Sequence, residues 1–139
     1  MSDNSKYELR AGDLLFNRTN SKELVGKTGL WSGAMEAVAA SYFIRLRVDD
    51  RIVRPEYIWT FFNTSFMKRR LFKAARGAIG QANINAKELR AFPIPVPSID
   101  LQQRFIDQIR QVMQLREQHA TALSIEDRIT KAIQARIFD

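Results

Sequence analysis

Residues 100–137 contain neither glycine nor proline, and this stretch constrains the fold more than any other part of the sequence. Its apolar residues recur mostly every three or four positions, which is the pattern of an amphipathic helix. At 1.5 Å per residue such a helix reaches about 55 Å. We expect it to begin at Asp100 as N-cap and to be interrupted near Ser124.

The apolar stripe of this helix predicts a partner helix, because the rod is longer than the preceding domain can cover. Arg116 and His119 are polar interruptions of the stripe. The alternative is a helix that folds back on its own domain. The predicted interface residues are Phe105, Ile109, Val112, Ile125, Ile129 and Ile133.

Three alternating prolines, Pro93, Pro95 and Pro97, precede the helix. Proline lacks an amide hydrogen and fixes φ, so this run excludes both a helix and a central strand. The sequence therefore predicts an extended linker here, with a domain over residues 1–99 and a helical element over 100–139.

The charge divides at the same point. The 139 residues carry a formal net charge of +7, and all of the excess lies in residues 1–99, while residues 100–139 hold 6 basic and 6 acidic side chains. Phosphate neutralisation releases counterions and so favours nucleic-acid binding by a basic surface. The pattern indicates a polyanion-binding domain followed by a neutral interaction element; a solvated basic face is the alternative.

Residues 1–99 predict short strands mixed with helices, an α+β fold. Residues 1–10 are polar and are expected to lack regular structure. The predicted strands are residues 14–16, 24–27 and 37–48, with a polar loop at 18–21 and a turn at 29–33.

Two helices and a short third one are expected after the strands. Pro55 suits the first turn of one helix, and Ser65 is a plausible N-cap for the next, which Gly77 ends. Asn85 and Glu88 have capping-box spacing. The inward-facing residues of the second helix are predicted to be Met67, Leu71 and Ala74 or Ala75.

Catalytic chemistry is poorly represented. The chain has no Cys and one His, which excludes disulfides, thiolate nucleophiles and sulfur-based zinc sites. Gly26-Lys27-Thr28 lacks the head of a P-loop, and Asp49-Asp50 suits a turn. We expect no catalysis, metal or cofactor. Without a long apolar run or a secretory leader, we expect a cytoplasmic protein that avoids membranes.

Several polar residues are of the types that bond base edges, Arg to guanine and Asn or Gln to adenine. Gly77, Gly80 and the residues between them favour a tight turn, and such a turn would also let a phosphate approach backbone amides. The alternative is that the asparagines bond their own backbone. The predicted DNA-binding residues are Arg18, Thr19, Asn20, Ser21, Lys27, Lys68, Arg69, Lys73, Arg76, Gly80, Gln81, Asn83 and Asn85.

Gly12–Ser21 leading to Leu24–Lys27, and Ala75–Ile84 leading to Pro93–Pro97, resemble the DNA specificity (S) subunits of type I restriction–modification enzymes. The similarity spans roughly residues 8–138. It implies a target recognition domain of mixed α/β structure that reads half of a bipartite site on double-stranded DNA, with the 18–21 and 80–85 segments facing the DNA.

The resemblance also implies a long coiled-coil-type helix that packs against its counterpart and docks methyltransferase (M) subunits, with methylation and cleavage carried by M and restriction (R) subunits. Family members have a longer recognition domain and two of them in tandem, so this chain resembles the back half of one. The resemblance leaves three alternatives. Another chain supplies the front part of the recognition domain, this chain is a truncated relative, or this chain forms a homodimer through its C-terminal helix. The alternative function is an assembly module without sequence readout.

Overall fold

The computed structural model of the chain describes residues 7–20, 24–75 and 82–138. Its elements in chain order are β1 (Leu14–Asn17), β2 (Thr19–Asn20), β3 (Thr28–Leu30), β4 (Phe43–Leu46), α1 (Pro55–Phe62), α2 (Ser65–Ala74), β5 (Ala82–Asn83), α3 (Ala86–Arg90) and α4 (Ile99–Phe138). The fold is α+β, which confirms the predicted class.

The chain divides into two compact units, residues 1–103 and 104–139. The first contains both sheets, the three shorter helices and the first turn of α4. The second is the remainder of α4. Within the described ranges, no helix is both long and apolar enough to cross a membrane.

Strand β1 is the centre of a three-stranded antiparallel sheet with the order β3-β1-β4. Leu14 lies opposite Leu30 and Leu46 in the two neighbouring strands. Because side chains alternate along a strand, Leu14 and Phe16 project from one face, and both are fully buried. This face of the sheet forms one side of the hydrophobic core.

Helices α1 and α2 supply much of the rest of the core. Phe62 of α1 lies 5.8 Å from Phe16, centroid to centroid and edge-on. Met67 and Leu71 of α2 are fully buried, which confirms their predicted inward orientation. Pro55 begins α1 as expected.

The start of α2 differs from the prediction by one residue. Thr64, rather than Ser65, is the N-cap, and its hydroxyl accepts a hydrogen bond from the Met67 amide at 3.2 Å. The helix ends at Ala74. The glycine predicted to end it, Gly77, lies outside the described residues.

The strand predicted at residues 24–27 is wrong, because the chain turns there. Gly26 has φ +81°, a conformation that glycine adopts without steric cost. A Cβ atom at Gly26 would lie 2.8 Å from Leu71 Cδ1, so the turn packs directly on α2. The strand follows at Thr28–Leu30, and Trp31 continues its pairing through hydrogen bonds with Gly12 and Asp13 instead of lying in a turn.

The strand predicted at residues 37–48 is shorter in the structure, where β4 covers Phe43–Leu46. The backbone of Ala37 and Ala39 is instead hydrogen-bonded to that of Leu9 and Tyr7, and the chain then turns before Phe43. This pairing also orders the end of the polar N-terminal segment, where Leu9 is buried. The expectation of no regular pairing is therefore wrong for residues 7–9.

Asn63 joins the α1–α2 junction to the sheet. Its Nδ2 donates to the Thr28 carbonyl at 2.8 Å, and its Oδ1 accepts from the Thr28 amide at 3.3 Å. Strand β3 is at the edge of its sheet, and exposed strand edges leave backbone groups without partners. The Asn63 amide satisfies both backbone groups of Thr28.

The predicted capping box is present at α3. Asn85 Oδ1 accepts from the Glu88 amide, and Glu88 Oε2 accepts from the Asn85 amide, both at 2.9 Å. The box begins a helix of one turn and a half, whose Leu89 is buried together with Ile84 just before it.

The proline run has no helix or strand, as expected, and side chains hold it in place. The Tyr57 hydroxyl donates to the Pro95 carbonyl at 2.8 Å. Gln102, fully buried in the first turn of α4, accepts from the Arg54 amide and donates to the carbonyls of Ile52 and Pro97. Its three hydrogen bonds attach the start of α4 to two separate segments.

Helix α4 begins one residue before the predicted cap, at Ile99, so Asp100 lies within its first turn. An acidic residue there favours the helix electrostatically. The helix continues through Ser124, where an interruption was expected. A single serine does not break a helix, because its propensity differs little from that of other polar residues.

Asp13 forms the main buried ion pair among the described residues. Its carboxylate accepts from Arg47 Nε at 2.6 Å, from Arg47 Nη2 at 3.0 Å and from the Arg10 amide at 2.9 Å. Burial by itself would raise the pKa of Asp13, but the hydrogen bonds and the charges of Arg47 and Arg45 outweigh it, so the pKa lies below its usual range.

We expect Gln102→Ala to lower the free energy of unfolding by about 1–3 kcal/mol, because it removes a fully buried side chain and leaves one partly buried amide and two partly buried carbonyls without its hydrogen bonds. Urea denaturation measures the change. Gln108→Ala, at an exposed position of the same helix, is the matched control. Equal stability of the two variants would contradict the role of Gln102.

We expect Asp13→Asn to lower the urea midpoint at pH 7. Because the folded-state pKa of Asp13 is depressed, its contribution to stability is complete above the unfolded pKa of about 3.9 and is lost as the pH falls through the folded value. The difference between wild type and Asp13→Asn should therefore shrink below about pH 4. Asp50→Asn, which removes an exposed carboxylate, should leave the midpoint at pH 7 unchanged.

Candidate nucleic-acid interface

Two segments that the sequence singles out as DNA-facing are neighbours in the structure. Strand β2 pairs antiparallel with β5, with Thr19 opposite Asn83 and Asn20 opposite Ala82. The Ile84 amide donates to the Arg18 carbonyl at 2.9 Å. Thr19 and Asn20 therefore form a short strand within the loop expected at 18–21, and this strand places them beside Ala82 and Asn83.

Arg18 holds this pair against the larger sheet. Its amide donates to the Tyr42 carbonyl at 3.1 Å, while its carbonyl accepts from Ile84. Both of its backbone groups are thus fixed by residues from distant parts of the chain. Asn83, which lies opposite Thr19 in the pair, is exposed; the two paired segments, residues 18–20 and 82–84, are called here the β2–β5 ridge.

Asn85 has a structural role at this site. Its Oδ1 accepts a hydrogen bond from the Glu88 amide in the α3 capping box. This is the alternative, bonding to the local backbone, that the sequence left open. This engagement accounts for Asn85 without a ligand.

Helix α2 presents a basic surface. Lys68, Arg69 and Lys73 are exposed on the side opposite the buried Met67 and Leu71, and α2 contains no acidic residue. Lys27 is also exposed, and it follows the Gly26 turn that packs on Leu71. These cations have the exposure that phosphate contacts require.

Four predicted residues, Ser21, Arg76, Gly80 and Gln81, lie outside the described residues, as do the side chains of Thr19 and Asn20. For Thr19 and Asn20 the backbone pairing given above is known. The remaining predicted DNA-binding residues are placed as described.

The predicted helix interface is mostly exposed. Val112, Ile125, Ile129 and Ile133 have side chains 45–55% exposed, and every side chain from residue 110 to 136 is in the exposed class. Phe105 and Ile109 are half-buried. The stripe thus leaves a row of large apolar groups in contact with water, a feature that is typical of interaction surfaces.

Beside Arg18 lies an open cleft of about 330 Å³ that the sequence prediction did not include. Its described lining residues, here called the arginine cleft, are Tyr7, Arg18, Ala39, Ala40, Ser41, Phe43 and Arg45. In the sequence, Arg45 contributes only to the net charge of residues 1–99. The position of Arg45 on the strand that pairs with β1, near Arg18, depends on long-range pairing and has no local signal in the sequence.

Among residues 7–20, 24–75 and 82–138, no three His, Cys, Asp or Glu side chains come together in a way that could hold a metal. Asp49 pairs with Arg51 within its turn, and the hydrogen bonds from Arg51 lower the Asp49 pKa. This pairing explains Asp49 without any catalytic role.

Comparisons with known proteins relate the chain to type I restriction enzyme specificity subunits. The chain is 31% identical over 104 residues to the putative type I restriction enzyme MjaX specificity subunit of Methanocaldococcus jannaschii, which covers 73% of this chain and 24% of that protein. It is 26% identical over 144 residues to the type I restriction enzyme EcoKI specificity subunit of Escherichia coli, and this match covers 99% of this chain and 31% of that protein. The chain thus spans about a third or less of the length of these relatives.

The family model of the type I restriction modification DNA specificity domain matches residues 1–126. These residues include both sheets, helices α1 to α3 and much of α4. On the strength of this match over most of its length, the chain belongs to the family of type I restriction modification DNA specificity domains.

Proposed function

We propose that this chain is a non-catalytic DNA-recognition element of a type I restriction–modification specificity subunit. Residues of the β2–β5 pair contact the bases of double-stranded DNA, and the cations of α2 contact its phosphates. Methylation and cleavage are carried out by partner M and R subunits. The observation that carries the proposal is the pairing of Thr19 with Asn83 and of Asn20 with Ala82, which joins two segments rich in base-reading residue types into one ridge.

The charge distribution supports the same function. Lys68, Arg69 and Lys73 form an exposed basic surface on a helix without acidic residues, whereas residues 100–139 carry equal numbers of acidic and basic side chains. Phosphate contacts position a protein on DNA, and base contacts specify the sequence. The α2 surface and the β2–β5 ridge supply these two kinds of contact from different elements.

Binding-site selection on random duplexes tests the proposal, with the purified chain alone and with a methyltransferase subunit. We expect an enriched sequence motif. If binding occurs without any enrichment, the chain is an assembly module without sequence readout. A metal-dependent cleavage assay on the same duplexes should give no product; cleavage by the purified chain would contradict the non-catalytic assignment.

We expect Asn20→Ala and Gln81→Ala to change base preference, with each bidentate contact contributing about 1–3 kcal/mol of discrimination. Lys68→Ala should weaken all duplexes alike and reduce the salt slope by about one. Fluorescence anisotropy on matched and mismatched duplexes separates the two effects. Lys131→Ala, at an exposed position of α4, removes the same charge and should leave DNA affinity unchanged; an equal loss would show that only net charge matters.

The exposed stripe of α4 supports a second part of the proposal, that the helix packs against a like helix and docks methyltransferase subunits. Ile125, Ile129 and Ile133 follow one another at steps of four and are each about half exposed. A helix with such a row gains stability by burying it against another helix. The like helix comes from a second copy of the chain or from another specificity polypeptide.

We expect Ile129→Asp to reduce self-association and methyltransferase docking, because a carboxylate in an apolar seam is costly to bury. Light scattering gives the mass, and co-purification gives the docking. Ser124→Asp, on the opposite side of the helix by its 100° per residue spacing, is the matched control. Unchanged mass and unchanged docking for Ile129→Asp would refute the helix assignment.

A further inference from the structure

The arginine cleft differs chemically from the other arginine environments in the structure. Arg47 is paired with Asp13, and Arg51 is paired with Asp49, each through two hydrogen bonds to a carboxylate. The described lining of the arginine cleft holds two guanidinium groups, the Ser41 hydroxyl and two aromatic rings, but no carboxylate. Its two positive charges therefore lack a local counter-charge among the described lining residues.

Arg45 is oriented by a neutral acceptor and makes no direct ion pair among the described residues, although its charge helps to lower the Asp13 pKa. Its Nη1 donates to the Glu8 carbonyl at 2.7 Å, and a backbone carbonyl is a neutral acceptor. Glu8 is itself held by its bridge to Val38. The guanidinium thus keeps its charge and further donors while one end is fixed, which reduces the entropy lost when a ligand binds.

Arg18 is fixed by its backbone and has an available side chain. Both its amide and its carbonyl are bonded, to Tyr42 and Ile84, while its half-buried side chain lines the cleft. Within the described chain it makes no ion pair with a carboxylate. Two like charges sharing one cleft repel each other, and an anion placed between them removes the repulsion.

We infer that Arg18 and Arg45 together bind one phosphate of the DNA backbone in the arginine cleft, an inference that rests on the function proposed above. Guanidinium groups match phosphate oxygens with paired, charge-assisted hydrogen bonds. The cleft of about 330 Å³ also leaves room for the adjoining sugar. A phosphate here lies next to Thr19, the first residue of the β2–β5 ridge, and so sets the register in which that ridge meets the bases.

This assignment gives Arg18 a different role from the one its residue type suggests. As a base reader, Arg18 would select guanine, and its loss would relax the sequence preference at one position. As a phosphate ligand, it positions the chain, and its loss weakens all sequences equally while lowering the salt dependence. The two roles therefore have different measurable signatures.

The test measures duplex affinity of the full chain between 50 and 200 mM salt for Arg18→Gln, Arg45→Gln and the double variant. Because one phosphate contact contributes about 0.9 to the slope of log affinity against log salt, wild type should lose roughly 3.5-fold more affinity over this range than each variant. The double variant should match the single ones, since both arginines bind the same phosphate. The motif enriched by binding-site selection should not change.

Arg51→Gln is the matched control, since it removes a guanidinium that is already paired with Asp49, and its salt slope should equal that of wild type. Arg18→Gln is the decisive variant, because the Arg18 side chain has no carboxylate partner in the described chain and thermal unfolding can verify that the variant folds. A wild-type salt slope in folded Arg18→Gln, or an altered motif, overturns the inference while the proposed function stands. Absence of duplex binding by wild type overturns both.

Discussion

Residues 14–20 form one extended segment in the first unit, and the rest of this unit depends on the backbone hydrogen bonds of this segment. Leu14–Asn17 pairs on one side with β3 and on the other with β4, and the next residues pair with β5. At the crossing point, Arg18 bonds Tyr42 and Ile84. A buried backbone group without a partner is costly, so residues 14–20 fix the positions of three separate segments, 28–30, 42–46 and 82–84. The strand that forms the core face and the strand that begins the β2–β5 ridge are therefore consecutive parts of the same segment.

Local chemistry allowed part of this fold to be predicted. Pro55 at the start of α1, the inward Met67 and Leu71, the Asn85–Glu88 capping box and the extended proline run all follow from neighbouring residues. The two errors in the strands have a common cause. Strand β4 is short because Ala37 and Ala39 pair with Tyr7 and Leu9, and Gly26 turns because it packs on Leu71. Both depend on distant residues, about which a local pattern carries no information.

The candidate site shows the same division. Residue types alone identified residues 18–21 and 80–85, but their pairing through two strands of two residues each has no periodicity that could reveal it. The arginine cleft was missed for a similar reason, since Arg45 reaches Arg18 through strand pairing. The structure also separates the cations by role. Arg47 and Arg51 are paired with carboxylates, so the number of basic residues in 1–99 overstates the unpaired positive charge that this part offers to a polyanion.

The buried amide of Gln102 has a consequence for how such a chain can be recombined with its relatives. In sequence, the proline run looks like a natural junction, because it separates the sheet-containing part from the long helix. Two of the three hydrogen bonds of Gln102 nevertheless reach back across it, to Ile52 and Arg54, and the third goes to Pro97 at its end. A chimaera joined at Pro97 would take this glutamine from one parent and the loop that receives it from the other. A junction after residue 103 keeps both together, so the unit that can be exchanged ends inside the helix.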